Sequence, residues 1–92
     1  MKKLESKIQG EIIKYIKELP NLYYEKSIIT NKRGSPDIKI CYKGKFIALE
    51  VKSANGKISE LQDYTLNKIR DAGGISEVVR SAEDVIKILS KI

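Results

Sequence analysis

The stretch Asp37-Ile38-Lys39-Ile40-Cys41-Tyr42-Lys43-Gly44-Lys45-Phe46-Ile47-Ala48-Leu49-Glu50-Val51-Lys52 decides the fold. Lys43-Gly44 interrupts a run of β-branched and aromatic residues. The run therefore reads as two strands, Asp37 to Tyr42 and Lys45 to Lys52, joined by a two-residue turn. Such a turn sets the register: Tyr42 faces Lys45, Ile40 faces Ile47, Ile38 faces Leu49 and Asp37 faces Glu50. Side chains alternate between the two sides of a strand, so Ile38, Ile40, Tyr42, Ile47, Leu49 and Val51 share a core face. The other face carries Asp37, Glu50 and Lys52, with Lys39, Cys41, Phe46 and Ala48 behind them.

Working outward, Leu4 to Leu19 reads as an amphipathic helix. Ile8, Ile12, Ile16 and Leu19 recur at helical spacing, and Pro20-Asn21 ends it. Leu22 to Thr30 reads as a strand, followed by the loop Asn31 to Ser35. Asn55-Gly56 marks a turn after the hairpin. Ser59-Glu60-Leu61-Gln62 fits a capping box that opens a second helix to Ala72, and Gly73-Gly74 closes it. Ile75 to Val79 is a short strand. Ser81 to Asp84 resembles another helix start, with Val85, Ile86 and Leu89 as the apolar stripe of the helix that follows. The order is αβββαβα in one domain over 1–92. The helix between the third and fourth strands implies a parallel pair with a right-handed crossover. An antiparallel meander would precede it, giving a mixed four-stranded α/β sheet flanked by helices.

The composition narrows the chemistry. The 92 residues include no histidine and one cysteine. This excludes imidazole bases, catalytic triads, an internal disulfide and Cys-cluster zinc sites. A metal bound here would need oxygen ligands, which favours magnesium, manganese or calcium. A single thiol fits a reducing compartment, the cytoplasm. No apolar run approaches the ~18 residues of a membrane span. Met1 to Ser6 turns polar without a signal-peptide core. The net charge of +6 points to a polyanionic partner such as nucleic acid.

Two carboxylates and an ammonium thus meet at one end of one sheet face. Directly opposed residues have Cβ atoms about 4.5–5.5 Å apart. Carboxylates that close repel unless a proton or a cation lies between them. A surface ion-pair cluster is the plain alternative. Against it, Pro36 fixes the entry to the strand, and Glu50 and Lys52 interrupt an apolar run, where a charge is costly unless paired or ligating.

Ser35-Pro36-Asp37 followed by Glu50-Val51-Lys52 resembles the PD-(D/E)XK nuclease signature. A longer ordered set of blocks is similar to the VRR-NUC family. It comprises Glu5 to Gln9, Gly34 to Asp37, Phe46 to Lys52, Gly56 to Ser59 with Gln62, Ala72 to Gly74, and Val78-Val79-Arg80-Ser81. The resemblance implies a restriction-endonuclease-like core and a standalone, phage-type nuclease in a bacterial host cell. It implies that Asp37, Glu50 and the Val51 backbone carbonyl hold Mg2+, with Mn2+ as a substitute. Lys52 would assist the attacking water, Gln62 would stand near the site, and Glu5 would help hold a metal. It further implies a homodimer that cuts branched DNA, four-way junctions in particular.

Several residues keep a second reading. Gln62 also serves as a helix cap, and Glu5 as a solvated helix-end glutamate. Lys32, Arg33 and Ser35 read as DNA contacts or as ordinary loop residues. Tyr23 and Tyr24 read as core and interface residues, and Cys41 as inert packing. Rival functions are restriction-like, flap or nicking cleavage on the same core, and a nucleic-acid-binding module without catalysis.

Overall fold

The computed structural model describes residues 3–28 and 33–92. The elements are α1 (Glu5–Lys17), β1 (Leu22–Lys26), β2 (Ile38–Tyr42), β3 (Lys45–Val51), α2 (Glu60–Asp71), β4 (Ile75–Val79) and α3 (Ala82–Ser90). They form one four-stranded sheet in the order β1-β2-β3-β4. The β1–β2 and β2–β3 pairs are antiparallel and the β3–β4 pair is parallel. This is the mixed α/β sheet expected from the sequence.

The hairpin register is the one the turn dictates, with Tyr42 opposite Lys45 and Ile38 opposite Leu49. Lys43 and Gly44 take φ values of 51° and 78°. A two-residue turn with both central residues left-handed matches the twist of the strands it joins. Gly44 accepts that conformation freely, whereas Lys43 adopts it at a cost.

The first strand is shorter than the expected Leu22 to Thr30. It ends at Lys26, opposite Ile38. The Ser27 N–H still donates to the Asp37 carbonyl at 2.8 Å, and the Ser27 hydroxyl donates to the Pro36 carbonyl. Beyond that point the partner is Pro36, which has no N–H to continue the ladder. Ile29 and Thr30 lie outside the described residues.

The main core fills the space between one sheet face and the helices α1 and α3. Ile8, Ile12 and Ile16 of α1 pack with Ile38, Ile40, Ile47, Leu49, Val51 and Val79 of the sheet and with Val85 and Leu89 of α3. Ile86 departs from the expected stripe and is 41% exposed, while Ile88 packs against the core in its place. Positions 85, 88, 89 and 92 follow the i, i+3, i+4, i+7 spacing of one helical face, and 86 falls to its side. On the opposite sheet face α2 covers β3 and β4. Leu66 is buried there, Ala48 and Ser76 are cross-strand partners, and the Ser76 hydroxyl donates to the Leu66 carbonyl at 2.7 Å. No helix of the described residues is long and apolar enough to cross a membrane.

Candidate active site

The site forms where the hairpin's second face passes beneath the start of α2. Asp37 precedes β2 directly, and its Oδ2 accepts the Val51 N–H at 2.7 Å. That bond ties the carboxylate to β3 one residue from Glu50. Glu50 itself is only 2% exposed. Its Oε2 accepts from Gln62 Nε2 at 3.1 Å. Its Oε1 is buried with no hydrogen-bond partner among the described residues. The Glu50 carboxyl is pushed up from 4.5 to about 8. Burial is the main cause, and the nearby Asp37 carboxylate adds to it. Glu5 raises it further, while the Lys52 ammonium pulls it down.

Gln62 fulfils both of its readings at once. Its Oε1 accepts the Ser59 N–H at 2.8 Å, and the Ser59 hydroxyl accepts the Gln62 N–H at 3.1 Å, a complete capping box. The amide's other end, Nε2, is left to donate to Glu50. A glutamine can do this because it carries an acceptor and a donor on one planar group. Gln62→Glu separates the roles, since a glutamate keeps the acceptor for Ser59 and lacks the donor for Glu50. We expect thermal stability close to wild type and a cleavage rate lowered about 10- to 100-fold, the usual size for a residue that supports a ligand. An unchanged rate would confine Gln62 to capping.

Glu5 reaches the site from the first turn of α1. Its Oε2 accepts the Ser53 N–H at 3.4 Å, at the turn that follows Lys52. Beside it an open cleft of about 340 Å3 is lined by Lys3, Leu4, Glu5 and Ser53. Lys52 is half-buried, and its N–H donates to the Val79 carbonyl at 3.0 Å. Arg33 is exposed and Ser35 half-buried on the way into β2, and neither makes a side-chain hydrogen bond among the described residues. Lys32 lies outside the described residues. Cys41 is exposed and not packing, and Tyr23 is 63% exposed and not core, because α2 leaves the outer face of β1 and β2 uncovered. Tyr24 does pack against the core.

Among the described residues no three His, Cys, Asp or Glu side chains group closely enough to hold an ion by themselves. The pair Asp37 and Glu50 does suit a hard cation. A buried carboxylate oxygen without a partner, next to a second carboxylate, is an arrangement that a divalent ion would satisfy.

Arg80 falls in the family-like block Val78 to Ser81, but the sequence alone gives it no role. The structure sets Arg80 Nη1 against the carbonyls of Ser53 and Gly56 at 2.6 and 2.8 Å. The available signal was positional. Arg80 follows a strand parallel to β3, so it emerges at the same sheet end as Lys52.

The VRR-NUC domain profile matches residues 2–83. A search of curated proteins gives no match. Two solved structures resemble the chain throughout. One, described as "VRR_NUC domain", is 24% identical, covers 94% of each chain and superposes with a TM-score of 0.77. The other, "VRR_NUC domain protein", is 19% identical, with 99% of this chain and 89% of that one covered and a TM-score of 0.80. At these identities the structural likeness speaks for the fold, and the profile match speaks for the family. The chain belongs to the VRR-NUC domain family, a nuclease-type domain.

Proposed function

We propose that the protein is a metal-dependent, structure-specific DNA endonuclease that resolves branched DNA, four-way junctions above all. The observation that carries this reading is the buried Glu50 with its orphaned Oε1, set beside Asp37 and on the same hairpin face as Lys52. A carboxylate buried at such cost is unnecessary for binding alone. Asp37, Glu50 and the Val51 carbonyl would hold Mg2+ or Mn2+, and Glu5 from α1 would stand at the edge of the site on the Ser53 N–H. The ion's chemistry is to polarise a phosphate and lower the pKa of a water. Gln62 orients Glu50, the Val51 N–H orients Asp37, and the Lys52 ammonium supplies positive charge where a phosphate gains negative charge. The +6 charge favours a phosphate backbone and makes affinity fall steeply with salt. Arg33 and Ser35 stand on the loop leading into the site as DNA contacts.

A junction has two strands to cut and this chain has one carboxylate pair, so we take the working unit as a two-fold dimer. The uncovered outer face of β1 and β2 supports this. Tyr23, Cys41 and Phe46 surround a shallow groove of about 180 Å3 together with Glu25 and Lys39. A patch with one acid and one base among aromatic rings is self-complementary across a two-fold axis.

The test is cleavage of an immobile four-way junction beside linear duplex and flap substrates, with Mg2+, Mn2+ or EDTA, for wild type and Asp37→Ala. Paired cuts on the junction that need the metal and vanish in the variant are expected. Light scattering at the assay concentration should give twice the 10.4 kDa chain mass. Binding of every substrate with no cleavage under either metal would defeat the catalytic reading, and preferential cutting of flaps or linear duplex would defeat the junction reading.

A further inference from the structure

The carbonyls of the turn that follows Lys52 are gathered from outside by one side chain. Arg80 Nη1 donates to the carbonyls of Ser53 at 2.6 Å, Gly56 at 2.8 Å and Ala54 at 3.5 Å. Gly56 N–H closes the turn onto the Ser53 carbonyl at 3.0 Å. Arg80 is anchored in its own right, because its backbone N–H donates to Asp84 Oδ2 at 2.8 Å in the first turn of α3. The aspartate does here what a capping-box glutamate does elsewhere, one residue ahead of the Ser81 cap.

Two residues of the candidate site touch the same turn. Ser53 N–H donates to Glu5 Oε2. A Cβ on Gly56 would lie 3.2 Å from Glu5 Oε2 and 3.4 Å from Lys52 Cβ. On the side of Gly56, then, Lys52 and the Glu5 carboxylate lie directly against the turn. A shift of the turn by an ångström displaces the ammonium and the α1 carboxylate against Asp37 and Glu50. Misplacement on that scale lowers rates by about 100-fold. Without Arg80 the turn keeps the Gly56 N–H bond to the Ser53 carbonyl and the Glu5 contact to the Ser53 N–H, and the Ala54 and Gly56 carbonyls lose the donor that draws them together.

We propose that Arg80 is a positioning residue of this site: by collecting the Ser53, Ala54 and Gly56 carbonyls on Nη1, it fixes the turn that sets Lys52 and Glu5 against the carboxylate pair. The proposal rests on the nuclease reading. It differs from a role as a phosphate contact, the usual work of an exposed arginine in a DNA-binding protein.

The experiment compares wild type, Arg80→Ala and Arg80→Lys as full chains. Single-turnover cleavage of a four-way junction is measured at saturating DNA with Mg2+. Junction affinity is measured by anisotropy in EDTA, and amide hydrogen exchange of residues 53–57 is followed without metal or DNA. For Arg80→Ala the saturated rate should fall about 10- to 100-fold. The dissociation constant should stay within about threefold, because few phosphate contacts are lost. Exchange at the turn should quicken about tenfold or more. Arg80→Lys keeps the cation and donors, and should recover most of the rate. Weakened DNA binding with an unchanged saturated rate would make Arg80 a phosphate contact and overturn the proposal, as would wild-type exchange at the turn. Should Arg80→Ala not fold, Arg80→Gln serves, and wild-type rate and exchange in that variant would overturn it equally. A wild type inert on every DNA would defeat the nuclease reading instead, and the exchange comparison would still decide whether Arg80 holds the turn.

Discussion

Glu50→Gln should abolish cleavage and at the same time make the metal-free protein more stable at alkaline pH. The carboxyl titrates near 8 in the folded chain and near 4.5 as an ordinary glutamate. Between those values the native state binds the proton more tightly than the unfolded state does. Raising the pH across that window therefore costs stability, fully felt above about 8 and absent below about 4.5. At about 1.4 kcal/mol per pKa unit, a displacement of that size corresponds to at most about 5 kcal/mol. Glutamine fills the same space, carries no charge and can still accept from Gln62, so its unfolding free energy should stay flat over the window. Urea denaturation in EDTA at pH 5, 7 and 9 reads the effect directly. Added Mg2+ should raise the wild-type melting temperature most at high pH, where the ligand is ionised, and should leave Glu50→Gln unmoved. Cleavage should fall by on the order of 10³-fold or more, since several kcal/mol of charge stabilisation are lost. Parallel pH profiles for wild type and variant would show that Glu50 is not the strained group.

Asp37 carries the second large effect, and two substitutions divide it. Its Oδ2 accepts the Val51 N–H. Asp37→Ala removes that acceptor and leaves a donor on a buried strand unpaired, which costs about 1–3 kcal/mol. Asp37→Asn keeps an oxygen for the same bond and removes only the charge, so it should hold most of the stability. Both should lose cleavage by on the order of 10³-fold or more. Either should also bring the Glu50 carboxyl down from about 8, because the neighbouring carboxylate is one cause of its rise. Carbon-detected titration of Glu50 would follow that change. An Asp37→Asn protein that cuts at the wild-type rate would remove Asp37 from the chemistry, and an Asp37→Ala protein of wild-type stability would deny the backbone tie.

The two effects separate the local from the long-range in this chain. Strand alternation and a two-residue turn are local rules, and they placed Asp37, Glu50 and Lys52 on one face without any tertiary information. The register of the structure is the one they require. Helical spacing likewise located Ile8, Ile12 and Ile16, and the Ser59 to Gln62 box located the start of α2. Where local rules met a neighbour they could not see, the outcome changed. β1 stops at Lys26 because Pro36 sits across from its continuation. Tyr23 and Cys41 face outward because α2 covers only the other half of the sheet.

By itself the sequence determined the element order, the hairpin register and the identity of the acidic pair, because each depends on neighbours within one turn or one strand crossing. The tertiary structure alone decided how strongly Glu50 is perturbed. The burial of Glu50 follows from α2 crossing β3, which also brings Gln62 to it. Glu5 arrives at Ser53 from the far end of the chain, and Arg80 closes the turn from a strand added by a crossover. Those contacts join segments 24 to 48 residues apart. No periodicity spans such a distance; only the packing of helices on the sheet brings these groups together.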